Sequence, residues 1–310
     1  MSFADVLVTQ KSKGSTRLEK IETLINWKRF NYRLEKILKK SSLGRPAYPA
    51  LSMFKALILQ NLYSLSDPEI EEMLYDRLSF RRFCGFGLQD SLPDETTICR
   101  FRNALVGHSE QLFHMVLQDI KDKGLELGKG AILDASIIQS RSARPNGGGI
   151  SETDPDAGWT KKRGTYHHGY KLHIAGDDTH GLLQGLEVTS ADIHDSLVFN
   201  SLISEEDEII YADKAYDTRK HHAFLEKHNI KNGILRKSKK GKKQPAWQRQ
   251  LNGVLNKTRC KIERCFAHLK GKLNFGRSSY FGLEKVKNAA YLKCLTYNLM
   301  RAQNLIKLAT

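Results

Sequence analysis

Gly130-Ala131-Ile132-Leu133-Asp134-Ala135-Ser136-Ile137-Ile138 is a short apolar run of strand composition with one acid inside it. It follows a change of pattern at Gly124. On its N-terminal side the apolar residues recur at helical spacing, as in Thr16–Lys39 (Leu18, Ile21, Leu24, Ile25, Leu34, Ile37, Leu38) and the strongly apolar Leu51–Leu62. Ser66-Asp67-Pro68-Glu69 has the residues of a capping box and opens a further helix, and Asp94 caps another that breaks near Gly107. On the C-terminal side Arg141–His168 reads as a long loop, and Tyr170–Ala175 with Leu182–Thr189 as a strand pair turning at 177–181. Ile193–Leu202 reads as a short helix, Ile209–Asp213 as a third apolar run ending in an acid, and Asp217–His228 as a helix. Ile230–Leu235 is a strand, and Leu251–Leu273 and Val286–Leu308 are closing helices. The pattern predicts an all-helical region over 1–127, then a mixed sheet with helices on its faces over 128–310.

The chain has 310 residues, a formal charge of +16 and 40% apolar residues, enough for a sizeable core. Gly and Pro are ordinary in number, which excludes collagenous and disordered classes. No apolar run reaches the roughly 20 residues of a membrane span, and residues 1–13 lack a secretory apolar core, so a cytoplasmic, nucleoid-associated protein without a membrane partner is expected. Cys84, Cys99, Cys260, Cys265 and Cys294 form no CxxC pair and read as reduced thiols.

The charge is unevenly placed. Residues 231–310 carry 20 basic and two acidic side chains, whereas residues 51–230 are net acidic. A run such as Arg236-Lys237-Ser238-Lys239-Lys240-Gly241-Lys242-Lys243 is by itself a solvated face. Sustained over eighty residues, such an excess repels itself unless a polyanion neutralises it, and phosphate backbone rewards each basic contact by counterion release.

Three acids stand out against this background. Asp134 and Asp213 lie in or at the end of apolar strands, where an unpaired carboxylate is costly to bury. Glu263 sits in a basic helix, and at 100° per residue it shares an arc of about 60° with Arg259, Phe266 and Lys270. An ordinary Arg–Glu pair four residues apart accounts for part of that face. A carboxylate set that binds Mg²⁺ or Mn²⁺, flanked by cations that hold phosphates, accounts for all of it.

Leu133-Asp134-Ala135-Ser136, Tyr211-Ala212-Asp213-Lys214-Ala215-Tyr216-Asp217 and Arg259-x3-Glu263-x6-Lys270 resemble the blocks of bacterial insertion-sequence DDE transposases, specifically the insertion-sequence-five type. So do Gly169–His173, Thr189–Asp195 and Pro93–Arg102, and the resemblance runs from about Leu51 to the C-terminus. One position departs: where the family has Tyr three residues before the Arg, this chain has Asn256.

The resemblance implies a ribonuclease-H-like catalytic domain over 128–310, with Asp134 on the first strand, Asp213 on the fourth and Glu263 on a later helix, preceded by a helical domain over 1–127. It implies Asp134, Asp213 and Glu263 as catalytic and metal-binding acids for two Mg²⁺ ions, with Mn²⁺ as substitute, in an in-line phosphoryl transfer. Arg259, Lys270 and Lys239, Lys240, Lys242 and Lys243 would hold DNA phosphates. Trp159 with Lys161 and Lys162 would meet a distorted DNA end, although Trp159 equally suits a role in pinning its loop. The expected partners are double-stranded DNA, as terminal inverted repeats and target, and a second copy in a homodimer or larger synaptic complex. His194 and Asp195 would line the cleft; His167, His168 and His173 have no zinc-site spacing and read as ordinary loop and strand histidines. The helices of 1–127 either read DNA ends or dimerise. The rival readings are a catalytically silent, domesticated DNA-binding protein and a metal-dependent nuclease without strand transfer.

Overall fold

In a computed structural model that describes residues 16–38, 47–143, 145, 148–238, 241 and 243–306, the run at 130–138 forms strand β1 (Gly130–Gln139) at the centre of a mixed sheet. Its alternate side chains enter two separate apolar clusters. Ala131 and Leu133 face one, Ile132 and Ile138 the other, so both faces of the strand are covered and the sequence has no polar face to alternate with. The further strands are β2 (Gly158–Lys162), β3 (Thr165–Asp177), β4 (Leu183–Ser190), β5 (Ile209–Ala212) and β6 (Lys231–Ile234). β1 pairs antiparallel with β3, and β3 antiparallel with β4; β1 pairs parallel with β5, and β5 parallel with β6. The order β4-β3-β1-β5-β6, with three antiparallel strands continued by two parallel ones, is ribonuclease-H-like.

β2 is an addition to that plan. It pairs with the first residues of β3, extending a hairpin beyond the stretch that β4 covers. Residues 141–168, expected as loop, therefore contain one whole strand and the start of another. Its charges and glycines hide the strand from any apolar pattern, and cross-strand pairing makes it. At Gly169 the chain enters the β1 pairing with φ of 150°, and a Cβ there would collide with the Ile138 carbonyl. The expected helix at 193–202 is a pair of short 3-10 turns.

The helical region comprises α1 (Arg17–Leu24), α2 (Trp27–Ile37), α3 (Ala50–Tyr63), α4 (Asp67–Asp76), α5 (Leu78–Cys84), α6 (Glu95–Ala104) and α7 (Ser109–Asp122). The single helix expected over 16–39 is broken because Asn26 caps α2 with its side chain and donates its backbone N–H to Asp119 at 2.9 Å. The Ser66–Glu69 capping box forms as its sequence indicates. α8 (Arg219–Lys227) lies between β5 and β6, and two long helices close the chain, α9 (Ala246–Gly271) and α10 (Leu283–Leu305). α10 is buried on nearly every side. It packs on α1, α3, α7 and β4, so one continuous core includes the helical region and one face of the sheet.

A buried ion pair joins these layers. Arg102 of α6 grips Asp67 of α4 through two hydrogen bonds (2.5 and 2.7 Å), and Gln60 of α3 donates to the same carboxylate. Tyr280 lies under the guanidinium at 4.9 Å, and Asn288 of α10 donates to the Arg102 carbonyl. Burial pushes the Asp67 carboxyl up, but the hydrogen bonds from Arg102 and Gln60 and the Arg102 charge prevail, leaving its pKa below the usual carboxylate value. With a lowered folded value, the stabilisation is complete at neutral pH and is lost as pH falls through that value. Arg102→Ala should cost about 3 kcal/mol in urea unfolding at pH 7, because it strands a partly buried carboxylate. The stability gap between the wild type and Asp67→Asn should narrow below about pH 4; a gap that does not change with pH would show that the pair contributes nothing through Asp67 ionisation.

Candidate active site

The parallel register of β1 and β5 ends on the pair Leu133–Ala212, so Asp134 and Asp213 are the next residues on two neighbouring strands. β1 continues past that point, whereas β5 stops. The chain turns away at Asp213, whose carboxylate accepts the Lys214 N–H at 2.7 Å and opens a short 3-10 turn. Two acids are thereby placed together at a strand end, both half-buried.

Glu263 reaches the same place through an intermediary. Arg259 of α9 donates from Nη1 to Asp134 Oδ2 (2.9 Å) and from Nη2 to Glu263 Oε1 (2.7 Å), while its Nε donates to Asn256 Oδ1 (3.2 Å). The predicted face of α9 exists, and Asn256 belongs to it as a hydrogen-bond acceptor. Burial drives the Asp134 carboxyl above its ordinary pKa. The Ala135 N–H and the Arg259 charge work against that shift, Asp213 reinforces it and Lys162 opposes it. Lys162, at the end of β2, therefore lies within electrostatic reach of Asp134. It also acts on Lys270, whose pKa is lowered by desolvation first and by Lys162 second. The hairpin cations and the α9 cation thus share one region.

The carboxylates supply the oxygen donors that a hard divalent cation prefers. As they stand, no three His, Cys, Asp or Glu side chains among the described residues form a group able to hold a metal. The Arg259 guanidinium joins Asp134 to Glu263.

The other predicted residues are distributed as follows. Lys161, Lys162 and Lys243 are exposed, while Lys239, Lys240 and Lys242 lie outside the described residues. Trp159 is half-buried; its indole N–H donates to the Gly149 carbonyl (3.0 Å) and its ring lies 5.0 Å from that of His168. It fastens the loop to the hairpin. Asp195 forms an ion pair with Lys171 at 3.0 Å. Burial raises the Tyr216 phenol, and Asp195, Asp134 and Asp213 then act on it in the same direction, which brings Asp195 into the electrostatic neighbourhood of the two strand acids. Tyr216 itself was not singled out by the sequence. It is buried, its hydroxyl has no hydrogen-bond partner among the described residues, and the sequence marked it only by its place between Asp213 and Asp217.

The model of the family described as "Transposase DDE domain" matches residues 127–299, and that described as "Transposase domain (DUF772)" matches residues 6–104. Among solved structures the chain is similar to a piggyBac transposase determined by cryo-EM as a synaptic complex with hairpin DNA. The TM-score is 0.47 at 10% identity, over 93% of this chain and 72% of that one. Trp159→Phe keeps a ring on His168 and removes the bond to Gly149, so it should lower stability by about 1 kcal/mol in thermal unfolding. An unchanged melting temperature would leave the indole without an anchoring role.

Proposed function

The chain belongs to the transposase DDE domain family, and on that footing we propose that Asp134, Asp213 and Glu263 are the acids of its catalytic centre. The protein is a DNA transposase, an enzyme that cleaves DNA strands and transfers the freed end. The observation that carries the site assignment is the convergence of all three acids on one place by independent elements, two through the β1–β5 register and one through the Arg259 bridge.

Enzymes of this family use divalent metal. Asp134, Asp213 and Glu263 would hold two Mg²⁺ ions, replaceable by Mn²⁺, which would supply Lewis-acid polarisation of the phosphodiester and a lowered pKa for the attacking water or hydroxyl. The chain's own groups do the rest. Arg259 presents a planar fork matched to two phosphate oxygens, and Lys270 and Lys162 are point charges beside it. The basic segment 236–243 would hold DNA phosphates. Trp159, Lys161 and Lys162 sit on the hairpin that borders the site and would meet the DNA end there. The substrates are double-stranded terminal inverted repeats and a target duplex. Bringing two ends together calls for a homodimer or larger, with the helical region 1–127 reading the ends, pairing the copies, or both. No described helix is long and apolar enough to cross a membrane.

Asp134→Asn, Asp213→Asn and Glu263→Gln should each lower Mg²⁺-dependent cleavage of an element-end duplex by about a thousandfold or more. Duplex affinity in a gel-shift titration should stay within about threefold. Wild-type cleavage by any one of the three would remove that residue from the centre. Joined products with a target duplex distinguish transposition from hydrolysis alone.

A further inference from the structure

Each of the three guanidinium nitrogens of Arg259 donates one hydrogen bond within the site. Nε is held by Asn256 at 3.2 Å, Nη1 by Asp134 at 2.9 Å and Nη2 by Glu263 at 2.7 Å. The Arg259 side chain is 15% exposed and that of Asp134 21%, so the contact is made partly out of water, where unlike charges attract more strongly. Glu263, at 56%, is the outer partner. Glu263 and Asp134 each give to Arg259 a carboxylate oxygen that a metal held by the three acids would require.

We propose that Asn256 and Arg259 form an internal cation latch that competes with divalent metal for Asp134 and Glu263, and that a DNA phosphate releases it by drawing the guanidinium away. The proposal rests on the reading of these acids as metal ligands. In the free protein one fixed cation satisfies the carboxylates, so metal must displace it to bind. When a phosphate arrives the guanidinium exchanges one anionic partner for another, and the vacated oxygens become available. Metal binding and DNA binding are then coupled, and the coupling is reciprocal. Asn256 holds the third nitrogen of the fork. A tyrosine at that position has no carboxamide oxygen to hold Nε, whereas Asn256 fixes the fork in the orientation that serves both acids.

Mn²⁺ binding to the full-length protein without DNA, followed by the electron paramagnetic resonance of free Mn²⁺, tests this. Asn256→Ala changes no charge at an exposed helical position, and alanine favours a helix. It should tighten Mn²⁺ binding about threefold, and Arg259→Gln about tenfold. Asp134→Asn should abolish both gains. A duplex should tighten Mn²⁺ binding in the wild type and much less in Arg259→Gln. If Arg259→Gln binds Mn²⁺ no more tightly than the wild type, or not detectably, while Asp134→Asn weakens wild-type binding, the latch is overturned and the metal site stands. If Asp134→Asn changes Mn²⁺ binding in neither background, the metal assignment falls and the latch with it. Tightening by Arg259→Gln but not by Asn256→Ala would reduce the effect to net charge and overturn the role of Asn256.

Discussion

Two carboxylates on adjacent parallel strands cannot be enclosed by protein unless positive charge accompanies them. Here the charge comes from another element, α9, whose Arg259 crosses to Asp134. Much of the architecture serves that meeting. β5 stops at Ala212 so that Asp213 can turn out of the sheet, and β1 runs on so that Asp134 stays within it. The hairpin β2–β3 adds Lys162 from a further direction. The acidic strands and the basic C-terminal segment, so separate in the sequence, are complementary parts of one surface.

The central strand, its acid and the shared helix face of Arg259 and Glu263 were all legible in the chain, because each rests on local composition or on a fixed angular repeat. So was the Ser66–Glu69 cap, a purely local bond pattern. What escaped was set by distant partners. β2 becomes a strand only by pairing with β3, and the break before α2 needs Asp119, far along the chain, to take the Asn26 N–H. The first residues of α9, 246–250, are largely exposed and carry no apolar repeat that would announce them as part of the helix expected from Leu251. The Arg259 bridge could be placed on the right face beside Glu263 but not joined to Asp134, which lies 125 positions away. Tyr216 was invisible for the same reason: its significance is the company of acids from three segments.

The site and the frame are stabilised by different means. Arg102 with Asp67 joins α3, α4, α6 and α10 in a fully engaged buried pair, with Tyr280 closing it off. Arg259 with Asp134 and Glu263 is open to solvent on its Glu263 side. The same chemistry, guanidinium on carboxylate, is a permanent joint in one place and an exchangeable one in the other. The exposed second carboxylate, Glu263 at 56%, is what sets the Arg259 joint apart.

α10 gives the molecule an order of assembly. The helix comes near the end of the chain, yet Tyr291, Leu292, Leu295 and Leu299 belong to the core that the first helices help to enclose. During synthesis these helices emerge before the sheet with their apolar faces uncovered, and the element that covers them is made only after the sheet. A chain interrupted before residue 283 lacks this helix altogether, so truncated products expose that surface instead of forming a smaller working unit. The ribosome delivers the sheet and its acids before the helix that locks the two regions together, so the fold becomes whole only after that helix has emerged.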